Sequence, residues 1–219
     1  MSEITIIGDV HHKYNKLKNI IQENEYYVQV GDMGFDYRGL RNINSNTSKF
    51  FPGNHDNFDT LLENPPPHYL GRYGIYELNG VEFFYIGGGY SIDEAFRRQD
   101  RIHTNRKTWW HQEQLTFAEM EDCKRLFLEN RPKLVLTHSP CRSIISQITT
   151  PDLIKKFGFD DDFYCQTSLF LDHLFSLHQP LTWISGHMHK SYEIQKGNTL
   201  FKGLAELETC IVNNKGGIG

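Results

Sequence analysis

Residues 49–56 read KFFPGNHD: a short apolar run, a proline, then a glycine followed by an amide, an imidazole and a carboxylate. Gly, Asn and Asp all favour turns, so taken alone the stretch has an ordinary reading as a loop. The same grammar recurs four times. ITIIGDVH at 4–11, YYVQVGD at 26–32, KLVLTHSP at 133–140 and TWISGHMH at 182–189 each run a strand-length apolar segment into glycine or threonine, then into acid or imidazole. Continuous apolar runs of this length mark buried parallel strands. Ligands of open α/β sheets collect outside the carboxyl ends of the strands. Five segments would therefore deliver Asp9, His11, Asp32, Asn54, His55, His138, His187 and His189 to one sheet edge.

The chemistry of that set is selective. Carboxylate, amide oxygen and imidazole without thiolate suit Mn²⁺, Fe or Zn²⁺ better than a structural thiolate zinc or an all-oxygen Ca²⁺ or Mg²⁺ cage. Seven ligands exceed one tetrahedral ion and suit two divalent ions sharing a bridging carboxylate. Such a pair activates water and clamps a phosphoryl group during in-line displacement, so the residues point to metal-assisted phosphoester hydrolysis. Asp9 and His11 are two apart, as are His187 and His189. In extended backbone such residues project to one side, which would let each pair face one ion or two adjacent ones.

The rest of the 219-residue chain sets bounds. Its length suits one sizeable α/β domain over 1–212, with residues 213–219 (NNKGGIG) as a loose, disordered tail. A net charge of −4 gives no reason to expect a nucleic-acid backbone or an anionic membrane as partner. Cys123, Cys141, Cys165 and Cys210 are widely spaced and read as reduced thiols. The N-terminus has no basic lead and no long apolar stretch, and no window reaches bilayer-spanning length; a soluble, cytoplasmic protein is expected.

Periodicity places a helix over 13–24, where Leu17, Ile20 and Ile21 share a face. It also gives a hairpin over 72–86 around Asn79-Gly80, and a closing hairpin through Lys196-Gly197-Asn198. A helix over 116–130 opens on capping-box spacing between Thr116 and Glu119, and another covers 168–178. Residues 93–114 show little periodicity, and 141–167 read as an irregular insertion.

The ordered set GDVH, GD, GNHD, THSP and GHMH resembles the calcineurin-like metallophosphoesterase superfamily, across residues 9–189. The resemblance implies an α/β four-layer αββα sandwich of two mixed sheets flanked by helices. It implies Asp9, His11 and His189 on one metal, Asn54, His138 and His187 on a second, and Asp32 bridging both. A bridging hydroxide would be the nucleophile. His55 would protonate the leaving oxygen, and Asp56 would orient His55 as carboxylate partners of catalytic imidazoles do. Two Mn²⁺ ions are the first expectation, with Fe or Zn²⁺ as alternatives. The substrate would be a small phosphomonoester or phosphodiester, nucleotide-like compounds included.

Phe35 stands where the protein-phosphatase branch carries the acid of GDxxDRG and the nuclease branch an extra histidine, which argues against both. IGGGYSID at 86–93 and TWWHQEQL at 108–115 are similar to stretches of small bacterial and phage phosphoesterases. A scaffold that keeps the fold without chemistry is the competing reading; such proteins lose ligands, and none is missing here. Arg38, Arg97, Arg98, Arg101 and Arg106 read mostly as a solvated face. A dianionic phosphate favours a bidentate arginine, and Arg98 and Arg101 are the candidates. Trp109 and Trp110 read first as core and second as a platform for a nucleobase. His12 reads as solvent-facing or supporting. His68, His103, His111, His173 and His178 read as ordinary surface or hydrogen-bonded residues.

Overall fold

The computed structural model describes residues 2–23, 25–150, 152, 155 and 165–219. Its described strands are β1 (Glu3–Ile7), β2 (Tyr27–Gln29), β3 (Ser48–Phe50), β4 (Tyr73–Leu78), β5 (Val81–Ile86), β6 (Leu134–Thr137), β7 (Thr182–Ser185), β8 (Tyr192–Lys196), β9 (Thr199–Gly203) and β10 (Thr209–Asn213). Helices are α1 (Tyr14–Glu23), α2 (Phe58–Glu63), α3 (Glu94–Thr104), α4 (Phe117–Asn130), α5 (Arg142–Ile148) and α6 (Gln166–Leu177). A four-stranded sheet has the order β10-β1-β2-β3 and a six-stranded sheet the order β4-β5-β6-β7-β9-β8. Each mixes parallel and antiparallel pairs; β1, β2 and β3 run parallel, as do β5, β6 and β7.

Strand periodicity makes the layers. In β1, in β2 and just beyond it, Ile4, Ile6, Val28 and Val30 face the six-stranded sheet, meeting Phe83, Tyr85, Leu134, Leu136 and Ile184. The alternate residues Ile7, Tyr27 and Phe50 face outward and are covered by Leu17 of α1 and Leu61 of α2. On the opposite flank Phe84, Val135 and Trp183 face outward against Phe127 of α4 and Leu171 and Leu174 of α6. The result is an αββα sandwich with three stacked apolar layers. Burying a side chain the size of Phe or Leu contributes about 1.5–3 kcal/mol, so this frame is rigid enough to hold polar strand ends in place.

Local signals explain the edges of several elements. Thr116 caps α4: its Oγ accepts from Glu119 N–H while the Glu119 carboxylate accepts from Thr116 N–H, a reciprocal capping box. Two stretches without a readable period are ordered. Residues 94–104 form α3, and Arg142–Ile148 of the expected insertion forms α5 with Ile144 and Ile145 buried; the remainder of that insertion up to Tyr164 lies mostly outside the described residues. Strand β10 has no counterpart in the sequence reading. Residues 213–219, expected as a loose tail, fold back: Gly217 O accepts from Asn213 N–H, and Val212 bridges Ile218, which packs on the inter-sheet core. No described helix is long and apolar enough to cross a membrane.

Candidate active site

Strands β1, β2, β3, β6 and β7 end at one edge, and the turns beyond them carry the polar residues. These turns are tighter than extended strand ends. His11, Asp32, His187 and His189 have φ of 46°, 59°, 67° and 49°, all left-handed. The two-residue spacings therefore converge through left-handed backbone, not through the strand alternation read from the sequence. Each such residue costs about 1–2 kcal/mol, and four of the nine described non-glycine cases belong to the site. Strain of this kind gathers at functional sites. Glycine solves a separate problem, close approach. A Cβ on Gly53 would lie 2.1 Å from Asp32 Oδ1, and one on Gly186 2.3 Å from Asp9 Oδ1.

One ligand atom each from Asp9, His11, Asp32 and His189 lies within 4.8 Å of the others, a group that could bind a metal ion. His11 Nε2 and His189 Nε2 are 2.9 Å apart, and His189 Nε2 is 3.1 Å from Asp9 Oδ2. Donors at 2.0–2.2 Å from one ion stand about 3 Å from each other, so the spacing fits. Beside this group, His138 Nε2 is 2.9 Å from Asn54 Oδ1 and 3.4 Å from Asp32 Oδ1, while its Nδ1 faces the Val30 carbonyl at 2.9 Å. The His187 ring packs edge-on to His138 with centroids 4.9 Å apart, and the His187 backbone N–H donates to Asp9. Asp32 thus stands between the two groups.

Asp9 and Asp32 are 0% and 1% exposed. Burial pushes the Asp32 carboxyl well above the usual range, and the neighbouring Asp9 and Asp56 charges push it further. For Asp9 burial acts in the same direction, but the His189 ring, His138 and the His187 N–H outweigh it and hold the carboxyl low. Burial depresses His138, takes His11 down to about 4 and takes His187 down to about 3, leaving neutral imidazoles with lone pairs to offer. Buried carboxylates beside imidazole lone pairs make a donor set suited to a divalent cation.

Two expectations about the site are corrected. Asp56 does not touch His55. Its Oδ2 accepts from the N–H groups of Asp32 (2.9 Å), Met33 (3.3 Å) and Gly53 (2.7 Å), and its Oδ1 from Gly34 N–H and Tyr37 Oη (3.1 Å each). The side chain after His55 points back under the β2 turn, whose N–H groups have no strand partner, and clamps that turn to GNHD. Burial raises its pKa to about 6, so it is still charged at neutral pH.

Arg98 and Arg101 do not reach the site. Arg98 pairs with Glu94 on the surface and lies over Trp109, and Arg101 is exposed on α3. Arg97 is there instead, 5% exposed. Its Nε pairs with Asp93 at 2.8 Å, its Nη1 donates to the Thr108 carbonyl at 3.0 Å, and its Nη2 rests against both ring nitrogens of His55, 2.6 Å from Nδ1. The one available sequence signal was Asp93 four residues ahead on a helix. Burial first, and the Arg97 charge second, drive the His55 pKa far down. Trp110 is 2% exposed, in keeping with a core role, yet its ring stands 5.6 Å from Phe35, which is itself 6.4 Å from His55. His12 supports Phe35 by accepting its N–H (3.0 Å), and His68 is buried with Nε2 on the Ile43 carbonyl.

Comparisons with known proteins accord with this geometry. A family model described as calcineurin-like phosphoesterase matches residues 2–191. Nothing among curated proteins matches. Among solved structures, the protein TT1561 of Thermus thermophilus is similar at 13% identity, with 100% of this chain and 97% of that one covered and a TM-score of 0.56. The phosphopantetheinyl hydrolase PptH of Mycobacterium tuberculosis is similar at 12% identity, with 94% and 90% covered and a TM-score of 0.51. At these identities the likeness speaks for the fold. The family match, spanning most of the chain, establishes that this protein belongs to the calcineurin-like phosphoesterases.

Proposed function

We propose that this chain is a binuclear metal-dependent phosphoesterase hydrolysing a small phosphomonoester or phosphodiester. The observation that carries the reading is the pair of buried carboxylates, Asp9 and Asp32, enclosed by imidazoles at the ends of the strands. Asp9, His11 and His189 would hold one ion and Asn54, His138 and His187 the other, with Asp32 placed to serve both. With no thiolate in the donor set, Mn²⁺ is the first choice and Fe or Zn²⁺ the alternatives. The ions, when bound, supply an activated water and neutralise charge on the phosphoryl oxygens.

The chain's own residues do the rest. Arg97, held by Asp93 and the Thr108 carbonyl, directs its remaining Nη2 to a phosphate oxygen. His55 gives a proton to the leaving oxygen. Burial first and the facing guanidinium second depress its pKa; a phosphate dianion against Arg97 offsets the second of these and raises the proton affinity of the ring. Phe35, backed by the buried Trp110, gives the region beside His55 an apolar ring face, suited to a flat leaving group such as a nucleobase-bearing alcohol.

Turnover of p-nitrophenyl phosphate and bis-p-nitrophenyl phosphate with Mn²⁺ tests the reading. His55→Ala lowers kcat by about 10²–10⁴-fold with the fold intact, and Asn54→Ala removes turnover along with the second ion. Full activity in both variants sinks the mechanism.

A further inference from the structure

The segment between β5 and α4 carries the stretches IGGGYSID and TWWHQEQL, which ion binding alone leaves unexplained. They meet behind Asn54. Glu113 Oε1 accepts from Ser91 N–H at 2.9 Å, and Glu113 Oε2 accepts from Ser91 Oγ at 2.6 Å. Ser91 Oγ in turn accepts from Asn54 Nδ2 at 2.9 Å. The loop is pinned there, since Gly89 N–H donates to the Glu113 carbonyl and Gly88 N–H to the Pro52 carbonyl. Asn54, Ser91 and Glu113 are 2%, 1% and 2% exposed, so water does not substitute for any of these bonds.

We infer that Glu113 is a positioning residue that, through Ser91, dictates which end of the Asn54 amide faces the reaction centre. Above neutral pH, the range in which the variants are compared, Glu113 is ionised and only accepts, so it takes the single Ser91 hydroxyl hydrogen. Ser91 Oγ then has only lone pairs left to offer. Asn54 must turn its NH₂ toward Ser91, which leaves Oδ1 directed at His138 Nε2, 2.9 Å away. The consequence for metal rests on the two-ion reading above: an amide oxygen is a ligand, an amide NH₂ is not.

The inference makes an unusual demand on Glu113→Gln, a change that keeps size and shape. The Ser91 N–H is a fixed donor and holds the Gln oxygen, so the Gln NH₂ donates to Ser91 Oγ. Ser91 Oγ has lone pairs for both amides, but accepting from both leaves its own hydrogen unpaired in a buried site. Turning that hydrogen to residue 54, with the Asn54 amide flipped to receive it, gives the hydrogen an acceptor. An Asp at 54 does not care, having an oxygen at either end. Asn54→Asp in the otherwise unchanged protein is harmed instead, because an acceptor then meets the Ser91 lone pairs.

The test is Mn²⁺ titration calorimetry of metal-free wild type, E113Q, N54D and the double variant, with thermal melts alongside. Wild type takes two ions. E113Q keeps the first and binds the second about 10–100-fold more weakly, the usual effect of losing a residue behind a ligand. N54D is weakened too, and the double variant recovers second-ion affinity relative to both single variants. E113Q with wild-type second-ion affinity, or a double variant no better than E113Q, overturns the inference and leaves the two-ion reading standing. Should E113Q melt too early to titrate, recovery or its absence in the double variant decides by itself. A wild type that takes fewer than two ions overturns both.

Discussion

Asp56→Asn separates a clamp from a catalytic orienter. The change is isosteric and removes one charge from a position that is 0% exposed. Asp56 accepts five hydrogen bonds, three at Oδ2 and two at Oδ1. The amide keeps one oxygen, best spent where the three N–H groups converge. Gly34 N–H and the Tyr37 hydroxyl then face an NH₂. Tyr37 has little freedom to escape, because its oxygen also accepts from Asn57 N–H at 3.0 Å. Two buried donors without acceptors cost about 1–3 kcal/mol each, or roughly 2–6 kcal/mol. Against a typical total of 5–15 kcal/mol this is severe, and for a chain of this size it is a fall in Tm of about 5–20 °C. Circular-dichroism melts of Mn²⁺-loaded wild type and D56N read the shift, and turnover at 20 °C of the folded protein reads the chemistry. A melt within about 2 °C of wild type together with collapsed turnover would refute the clamp and return Asp56 to His55.

Arg97→Lys keeps the charge but loses the fork, so kcat/KM on p-nitrophenyl phosphate should fall on the order of 10²-fold; R98A and R101A should stay near wild type, and the reverse pattern would restore the sequence-based choice. Chelation should lower Tm and Mn²⁺ at about 100 times its Kd should raise it by the equivalent of about 2.7 kcal/mol, roughly 5–10 °C; a melt indifferent to Mn²⁺ speaks against ions at Asp9 and Asp32. Burial raises the Glu113 pKa from 4.5 to about 7. The folded state therefore holds this proton over a range where the unfolded chain has released it, so the group's contribution is full below pH 4.5 and is lost as pH rises to 7, about 3 kcal/mol in all. Urea titrations of metal-free wild type and E113Q should show their stability difference shifting by that amount across the range; a constant difference contradicts it.

The sandwich was legible because strand burial and chemistry shared one signal. Runs such as ITII and LVLT need both faces covered, and each stops at the residue where the backbone leaves the core and the polar side chain begins. Element boundaries with local causes were equally plain, as at Thr116 and Glu119. What escaped was set by tertiary contact. Strand β10 is only five residues and is specified by pairing with β1 from Glu3 to Ile7. Helix α3 has Phe96 and Ile102 exposed and Arg97 buried, the inverse of the pattern that marks an amphipathic helix. Its single inward residue is a cation aimed at His55, so apolar periodicity was bound to miss both the helix and its most important side chain. Asp56 was misjudged because adjacency in sequence was taken as contact in space.

These failures have a common root. The candidate metal ligands and His55 lie on strand ends, where the sequence carries its strongest regularity. Residues that meet them lie on the connections, where partners are 24 to 42 positions away: Asp56 with Asp32, Ser91 with Asn54, Arg97 with His55. The apolar frame fixes the strand ends to within the frame's own rigidity, but it does not choose an amide's orientation or stop a left-handed turn from relaxing. Hydrogen bonds of fixed polarity do that, from Asp56 beneath the turns and from Glu113 behind the amide. The site is thus held from two sides by carboxylates that touch no substrate, each satisfying donors that the left-handed turns and the glycine loop leave without partners. Removing either should shift the ligands before it shifts the fold's topology, and it is in the connections, more than in the strand-end motifs shared across the family, that a phosphoesterase of this kind can be expected to encode its selectivity.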